Sequence, residues 1–180
     1  MIHLSDPMTR RASNLLKGAQ QEAKRRHHLY VGPEHLLLAL LSESGGLTPE
    51  IFHRLGVDLQ ELHQAVEMTL TRHEQEIGWV KRVRMHLPTP IKLWRLLFPP
   101  RQRLNRRARR VMTRARGEMQ RLGHRSIGTE HVLLGLTYED AGAMSELLSR
   151  RGLSYRQFDY TEGFFYFQIP GGQVMRIQLP

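Results

Sequence analysis

Val31-Gly32-Pro33-Glu34-His35-Leu36-Leu37-Leu38-Ala39-Leu40 returns 96 residues later as Ile127-Gly128-Thr129-Glu130-His131-Val132-Leu133-Leu134-Gly135-Leu136. Outward from this pair, residues 12–56 align with residues 108–152 at the same offset and without a gap. Sixteen of those 45 pairs are identical, among them Ala12/Ala108, Ala19/Ala115, Glu22/Glu118, His28/His124, Gly46/Gly142 and Gly56/Gly152. Self-similarity at a fixed period marks a duplicated supersecondary unit.

The period inside the unit is helical. Thr9 is an expected N-cap, and Ala12, Leu15, Leu16, Ala19 and Ala23 recur at three- and four-residue steps, which predicts one apolar face and a helix ending near His27 or His28. A second helix opens after Gly32, with Pro33 tolerated in its first turn and Glu34 favoured by the positive end of the dipole. His35 to Leu41 is almost wholly apolar, so this helix is the predicted buried centre, broken by Gly45 and Gly46. A third helix is expected over about Pro49–Leu55, stopping at Gly56, and Asp58 caps a fourth through Leu62, Val66 and Leu70. The second copy repeats this scheme with Asn105 as N-cap, Thr129 capping the buried helix, and a short helix ending at Gly152. Its fourth helix is degenerate. Instead, Phe164 to Ile169 and Gln173 to Leu179 flank Pro170-Gly171-Gly172, the pattern of a β-hairpin.

The chain has 180 residues, 27 Lys plus Arg against 17 Asp plus Glu, and no Cys. At this length folding buries roughly 70% of the unfolded surface without a staple. Disulfide frameworks, Cys-ligated zinc and cysteine nucleophiles are excluded. The first residues lack the apolar core of a signal peptide and no run approaches the ~20 apolar residues of a membrane span, so a cytoplasmic protein is expected. The net charge of +10 is local: Ile77 to Gly117 holds 13 basic and no acidic residues, and the remainder sums to −3.

The duplicated stretch, with His28 and Gly123-His124 before it and Gly56-Val57 and Gly152-Leu153 after it, resembles the Clp repeat of the N-terminal domains of the ClpA and ClpC unfoldases. The resemblance implies an all-α fold, two four-helix repeats related by pseudo-twofold symmetry, here with a C-terminal β-hairpin. The organisation expected is repeat 1 over 8–72, a basic Pro-containing connection over 73–104, repeat 2 over 105–158 and a hairpin tail over 159–180, the repeats forming one domain. It further implies a non-enzymatic protein-binding module that docks adaptors or substrates, or associates with a Clp ATPase or protease subunit. No phosphate loop of the G-x-x-x-x-G-K-[ST] type occurs in the sequence, so a free-standing docking domain without the ATPase is expected.

In ClpC-type domains, the resemblance further implies, an acidic residue at the start of the second helix receives the guanidinium of a phosphoarginine and the start of the first helix receives its phosphate. The matching residues are Glu34 and Thr9 in the first copy, Glu130 and Asn105 in the second. As chemistry this is sound, since a carboxylate takes two parallel guanidinium hydrogen bonds and free N–H groups at a helix start suit an oxyanion. The blander reading makes these four residues caps and dipole partners worth ~1 kcal/mol each, and it is favoured on the residues alone. His28, His35, His124 and His131 raise a metal question, but no H-E-x-x-H occurs, and backbone-bonded histidines are expected instead; no metal or cofactor is predicted. In the connection, Trp94 sits in a short amphipathic stretch, and Arg101, Arg103, Arg106, Arg107, Arg110 and Arg114 form a basic partner surface. A solvated face or acidic-partner dock is favoured over the alternative, a regulatory protein binding nucleic acid through residues 81–116, with membrane attachment weaker still.

Overall fold

The computed structural model describes residues 7–45, 47–71, 103–138, 141–153, 158–161, 164–168 and 174–178, the last three spans and Leu47 by their backbone. Trp94, Arg101 and nearly all of the basic connection lie outside the described residues. In chain order the elements are α1 (Arg10–Arg25), β1 (Tyr30–Val31), α2 (Pro33–Leu41), α3 (Leu47–Arg54), α4 (helical over 59–71), β2 (Arg103–Leu104), α5 (Arg106–Arg121), α6 (Thr129–Thr137), α7 (Ala143–Ser149), β3 (Phe158–Thr161), β4 (Phe164–Gln168) and β5 (Val174–Gln178).

Local chemistry sets the boundaries. The Thr9 hydroxyl accepts from the Ala12 N–H at 3.1 Å and Asn105 Oδ1 from the Ala108 N–H at 2.8 Å, so both long helices start on the caps expected. Asp58 Oδ1 accepts from Gln60 and Glu61 at 2.8 and 3.2 Å, capping α4. Thr129 is not a cap: Gly128 holds that place and Thr129 is the first helical residue, just as Gly32 precedes Pro33. Here the cap is supplied from inside the helix. His35 Nδ1 accepts from the Gly32 N–H at 3.0 Å and His131 Nδ1 from the Gly128 N–H at 2.8 Å, the reciprocal half of a capping box.

At the end of α1 His27 has φ 55°, where Gly123 at the end of α5 has φ 68°. A side chain in this left-handed region costs roughly 1–2 kcal/mol that glycine does not incur. His27→Gly is therefore expected to raise stability by up to about 1 kcal/mol after glycine's own entropy cost, read as the shift in urea midpoint.

The core is one contiguous cluster drawn from both copies. Leu36, Leu37, Leu38 and Leu40 of α2 and Val132, Leu133, Leu134 and Leu136 of α6 are all buried, and the two helices pack against each other at the centre. Around them lie the apolar stripes of α1 (Ala12, Leu15, Ala19, Ala23) and α5 (Ala108, Val111, Met112, Ala115). This is the interior the repeat pattern predicted.

The copies are also stitched by backbone. Val31 and Tyr30 pair in parallel with Leu104 and Arg103, and the Asn105 N–H donates to the Val31 carbonyl at 2.9 Å. At positions 96 residues removed, Met8 bridges Ile127 in parallel and the Thr9 N–H donates to the Ile127 carbonyl, also at 2.9 Å. Each copy thus gives the segment before its first helix to the loop before the other's second helix, as twofold pseudosymmetry demands. At the C-terminus β4 and β5 pair antiparallel from Phe164↔Gln178 to Gln168↔Val174. A third strand, β3, joins β4 from Phe158↔Phe167 to Thr161↔Phe164, a partner not anticipated from the sequence.

Candidate functional site

The exchange of segments decides which candidate residues meet. A Cβ added at Gly32 would overlap the Glu34 carboxylate and stand 3.1 Å from Asn105 Nδ2, so the first copy's carboxylate folds back beside the second copy's cap. In the other cleft the Glu130 carboxylate folds over Gly128, and Thr9 is held to Ile127 next to it. The sequence alignment grouped Glu34 with Thr9 and Glu130 with Asn105. The structure pairs them crosswise, Glu34 with Asn105 and Glu130 with Thr9, because each leading segment is donated to the opposite copy.

Each cleft therefore combines a carboxylate with a helix start. Neither α1 nor α5 has an acidic residue in its first turn; both open on two arginines, Arg10-Arg11 and Arg106-Arg107. This runs against the usual preference for acids at the positive end of a helix dipole, and leaves a region suited to an anion. Glycine before each second helix lets the carboxylate lie against the backbone. Arg10 and Arg11 were not singled out from the sequence, although they stand at the repeat offset from Arg106 and Arg107. Arg103, Arg106, Arg107, Arg110 and Arg114 are all exposed, and Arg107 comes near Gly142.

Behind each carboxylate lies a pair of histidines. His35 Nε2 meets His28 Nδ1 at 2.8 Å and His131 Nε2 meets His124 Nδ1 at 2.9 Å. Since Nδ1 of His35 and of His131 accepts a backbone N–H, the proton of each neutral inner ring is on Nε2 and is donated to the outer ring. Burial, reinforced by His28 and Arg26, lowers the His35 pKa to about 4. Burial, with His131 adding to it and Glu130 opposing it, also lowers that of His124. His124, Glu130 and His131 converge closely, their ligand atoms within 4.8 Å of one another. Both His131 nitrogens are already engaged, so the trio is read as a cap and its support. Among the described residues no helix is long and apolar enough to cross a membrane.

With this geometry the family match is informative. A family model for the Clp repeat (R) N-terminal domain matches residues 7–86 and 98–150, well over half of the chain. The chain belongs to this family. ClpC/MecB of Bacillus subtilis (strain 168), described as a negative regulator of genetic competence, is 30% identical over 146 residues, 81% of this chain and 15% of that protein. The chaperone protein ClpB of Oceanobacillus iheyensis is 31% identical over 146 residues, with the same two coverages. This Clp-repeat chain thus spans about 15% of the length of those relatives. Among solved structures, the Hsp104 N-terminal domain from Candida albicans superposes with a TM-score of 0.57 at 18% identity, covering 84% of this chain and 85% of that one. The N-terminal domain of the ClpV1 ATPase from E. coli EAEC does so with a TM-score of 0.58 at 20% identity, covering 84% and 80%. Likeness at this identity concerns the fold, and it is the all-α Clp N-terminal fold that the duplicated sequence predicted.

Proposed function

We propose that this chain is a non-enzymatic docking module for protein partners of a Clp ATPase or protease assembly, and that its two crossed clefts receive arginine-phosphate groups on substrates or adaptors. The observation that carries the reading is the twofold pairing of a folded-back carboxylate with an acid-free, arginine-flanked helix start. A phosphoarginine is cationic at its guanidinium and anionic at its phosphate, so it needs opposite charges within one side chain's reach. Glu34 and Glu130 offer the bidentate acceptor, and the N–H groups beginning α5 and α1 offer the oxyanion donors. Membership in the Clp N-terminal family and the resemblance to ClpC-type domains support the same role.

Titration of a phosphoarginine peptide against the wild type and the Glu34→Ala, Glu130→Ala double variant tests this. A charge-assisted pair contributes on the order of 1.5 kcal/mol or more, so the double variant is expected to bind at least about tenfold more weakly. Equal affinities would remove both carboxylates as ligands. The exposed arginines Arg103, Arg106, Arg107, Arg110 and Arg114 support a second surface, for an acidic protein. Binding of duplex DNA through them would instead weaken steeply with salt, by a log–log slope of about −0.9 per phosphate.

A further inference from the structure

Gly18 and Ser42 occupy the positions that Arg114 and Tyr138 occupy in the second copy. There the Arg114 guanidinium lies over the Tyr138 ring, 4.7 Å from its centre, and the Tyr138 hydroxyl donates to Glu118 Oε1 at 2.5 Å. Arg121 donates to the other oxygen at 2.7 Å, and the Glu118 side chain is 4% exposed. In the first copy the counterpart of Glu118 is Glu22. It keeps the arginine partner, Arg25 at 2.8 Å, but faces Ser42's position instead of a tyrosine and is 22% exposed.

What the two small residues leave is a cavity of about 460 Å³ between α1 and the end of α2. Leu15, Gly18 and Ala39 form its apolar part, Glu22 and Glu43 line it with carboxylates, and Arg11 contributes its single cation. Glu43 Oε1 accepts from the Thr129 hydroxyl at 3.3 Å, whereas its Oε2 is buried and makes no hydrogen bond. Burial raises the Glu43 carboxyl above the ordinary range, against the Thr129 hydroxyl and Arg11, which pull it down. A buried acceptor without a donor calls for a partner group.

The lining specifies that partner's chemistry. Two carboxylates against one guanidinium leave a negative site, and the apolar strip of Leu15, Gly18 and Ala39 suits a hydrocarbon stem. An arginine side chain satisfies both, with its stem on the strip and its planar fork on a carboxylate. We infer that this groove of the first repeat binds an unmodified arginine side chain of a partner polypeptide, taking from outside the guanidinium that the second copy supplies as Arg114. The site is separate from the crossed clefts and shares none of their ligand residues.

The test is an NMR titration of the full chain with a short Gly/Ser peptide carrying one arginine, and with its citrulline twin, which keeps the shape and loses the charge. Amide shifts are expected to centre on Gly18, Ser42 and Gly45, with binding at least tenfold weaker for citrulline and for Glu43→Gln. The double variant Gly18→Arg, Ser42→Tyr rebuilds the second copy's filling. It is expected to abolish binding with its amide dispersion and melting transition retained. The Glu34→Ala, Glu130→Ala variant is expected to bind the arginine peptide as the wild type does, so loss of one site is distinguishable from loss of the other. Equal affinity for arginine and citrulline, undiminished binding to the filled variant, or shifts confined to Gly32 and Gly128 would each overturn the inference.

Discussion

Gly135→Val is expected to leave no cooperative melting transition at 37 °C, and Gly135→Ala to lower stability by about 2 kcal/mol. A Cβ at Gly135 would overlap the Val111 carbonyl oxygen and stand 3.2 Å from the Ala115 nitrogen. Both obstacles are backbone of α5, which cannot rotate aside as a side chain can, so α5 and α6 must separate along a buried contact. Overpacking of this kind costs about 1–3 kcal/mol for a methyl, against a helix-propensity gain of up to ~1 kcal/mol for replacing glycine. Valine adds two further methyls in the same place. The control is Gly18→Ala on α1, whose Cβ would sit 3.6 Å from that of Ala39, an ordinary contact. It is expected to stabilise by about 0.5–1 kcal/mol. Guanidinium unfolding of the three variants checks this, and a neutral Gly135→Ala would show that α5 and α6 are not so closely packed.

The second large effect is on pH. An unfolded His35 titrates near 6.5, but the folded side chain, 3% exposed, does so at about 4. Between those values the unfolded chain holds a proton that the folded chain refuses, so stability falls as pH drops through 6.5 and the loss is complete below about 4. The full span corresponds to roughly 3 kcal/mol, and about 2 kcal/mol is expected to be gone at pH 5. His124, lowered in the same direction, adds to the loss; Glu43, whose folded pKa is raised, opposes it. Comparing unfolding free energies at pH 7.5 and pH 5 for wild type and His35→Asn isolates the His35 share. Asparagine can still accept from Gly32 and has nothing to titrate, so its pH dependence should be flatter. Parallel pH profiles for the two proteins would exclude His35 as the source.

Most of the helical fold was legible because the duplication turns each half into a check on the other. The caps Thr9, Asn105 and Asp58 were readable from a hydroxyl, amide or carboxylate placed just ahead of an apolar period. Thr129 misled for the same reason: its hydroxyl looks like a cap, but His131 two residues later already satisfies the Gly128 N–H. The crosswise pairing of Glu34 with Asn105 was not legible, since an internal repeat states which positions are equivalent and says nothing about which copy touches which. The paired histidines were half readable. Backbone bonding was expected of them, but the link of His28 to His35 depends on the chain reversing after α1. The groove was written in the sequence as a mismatch, Gly18 against Arg114 and Ser42 against Tyr138, which attention to identities passes over.

The reciprocal donation of leading segments bears on what would happen if the chain were cut within the connection. An isolated first half would keep its helices' apolar faces uncovered and would lack a donor for Val31 and an acceptor for Thr9. The second half carries both missing groups, so the pieces are not two autonomous modules but complementary fragments. Mixing them restores the bonds that neither can make alone.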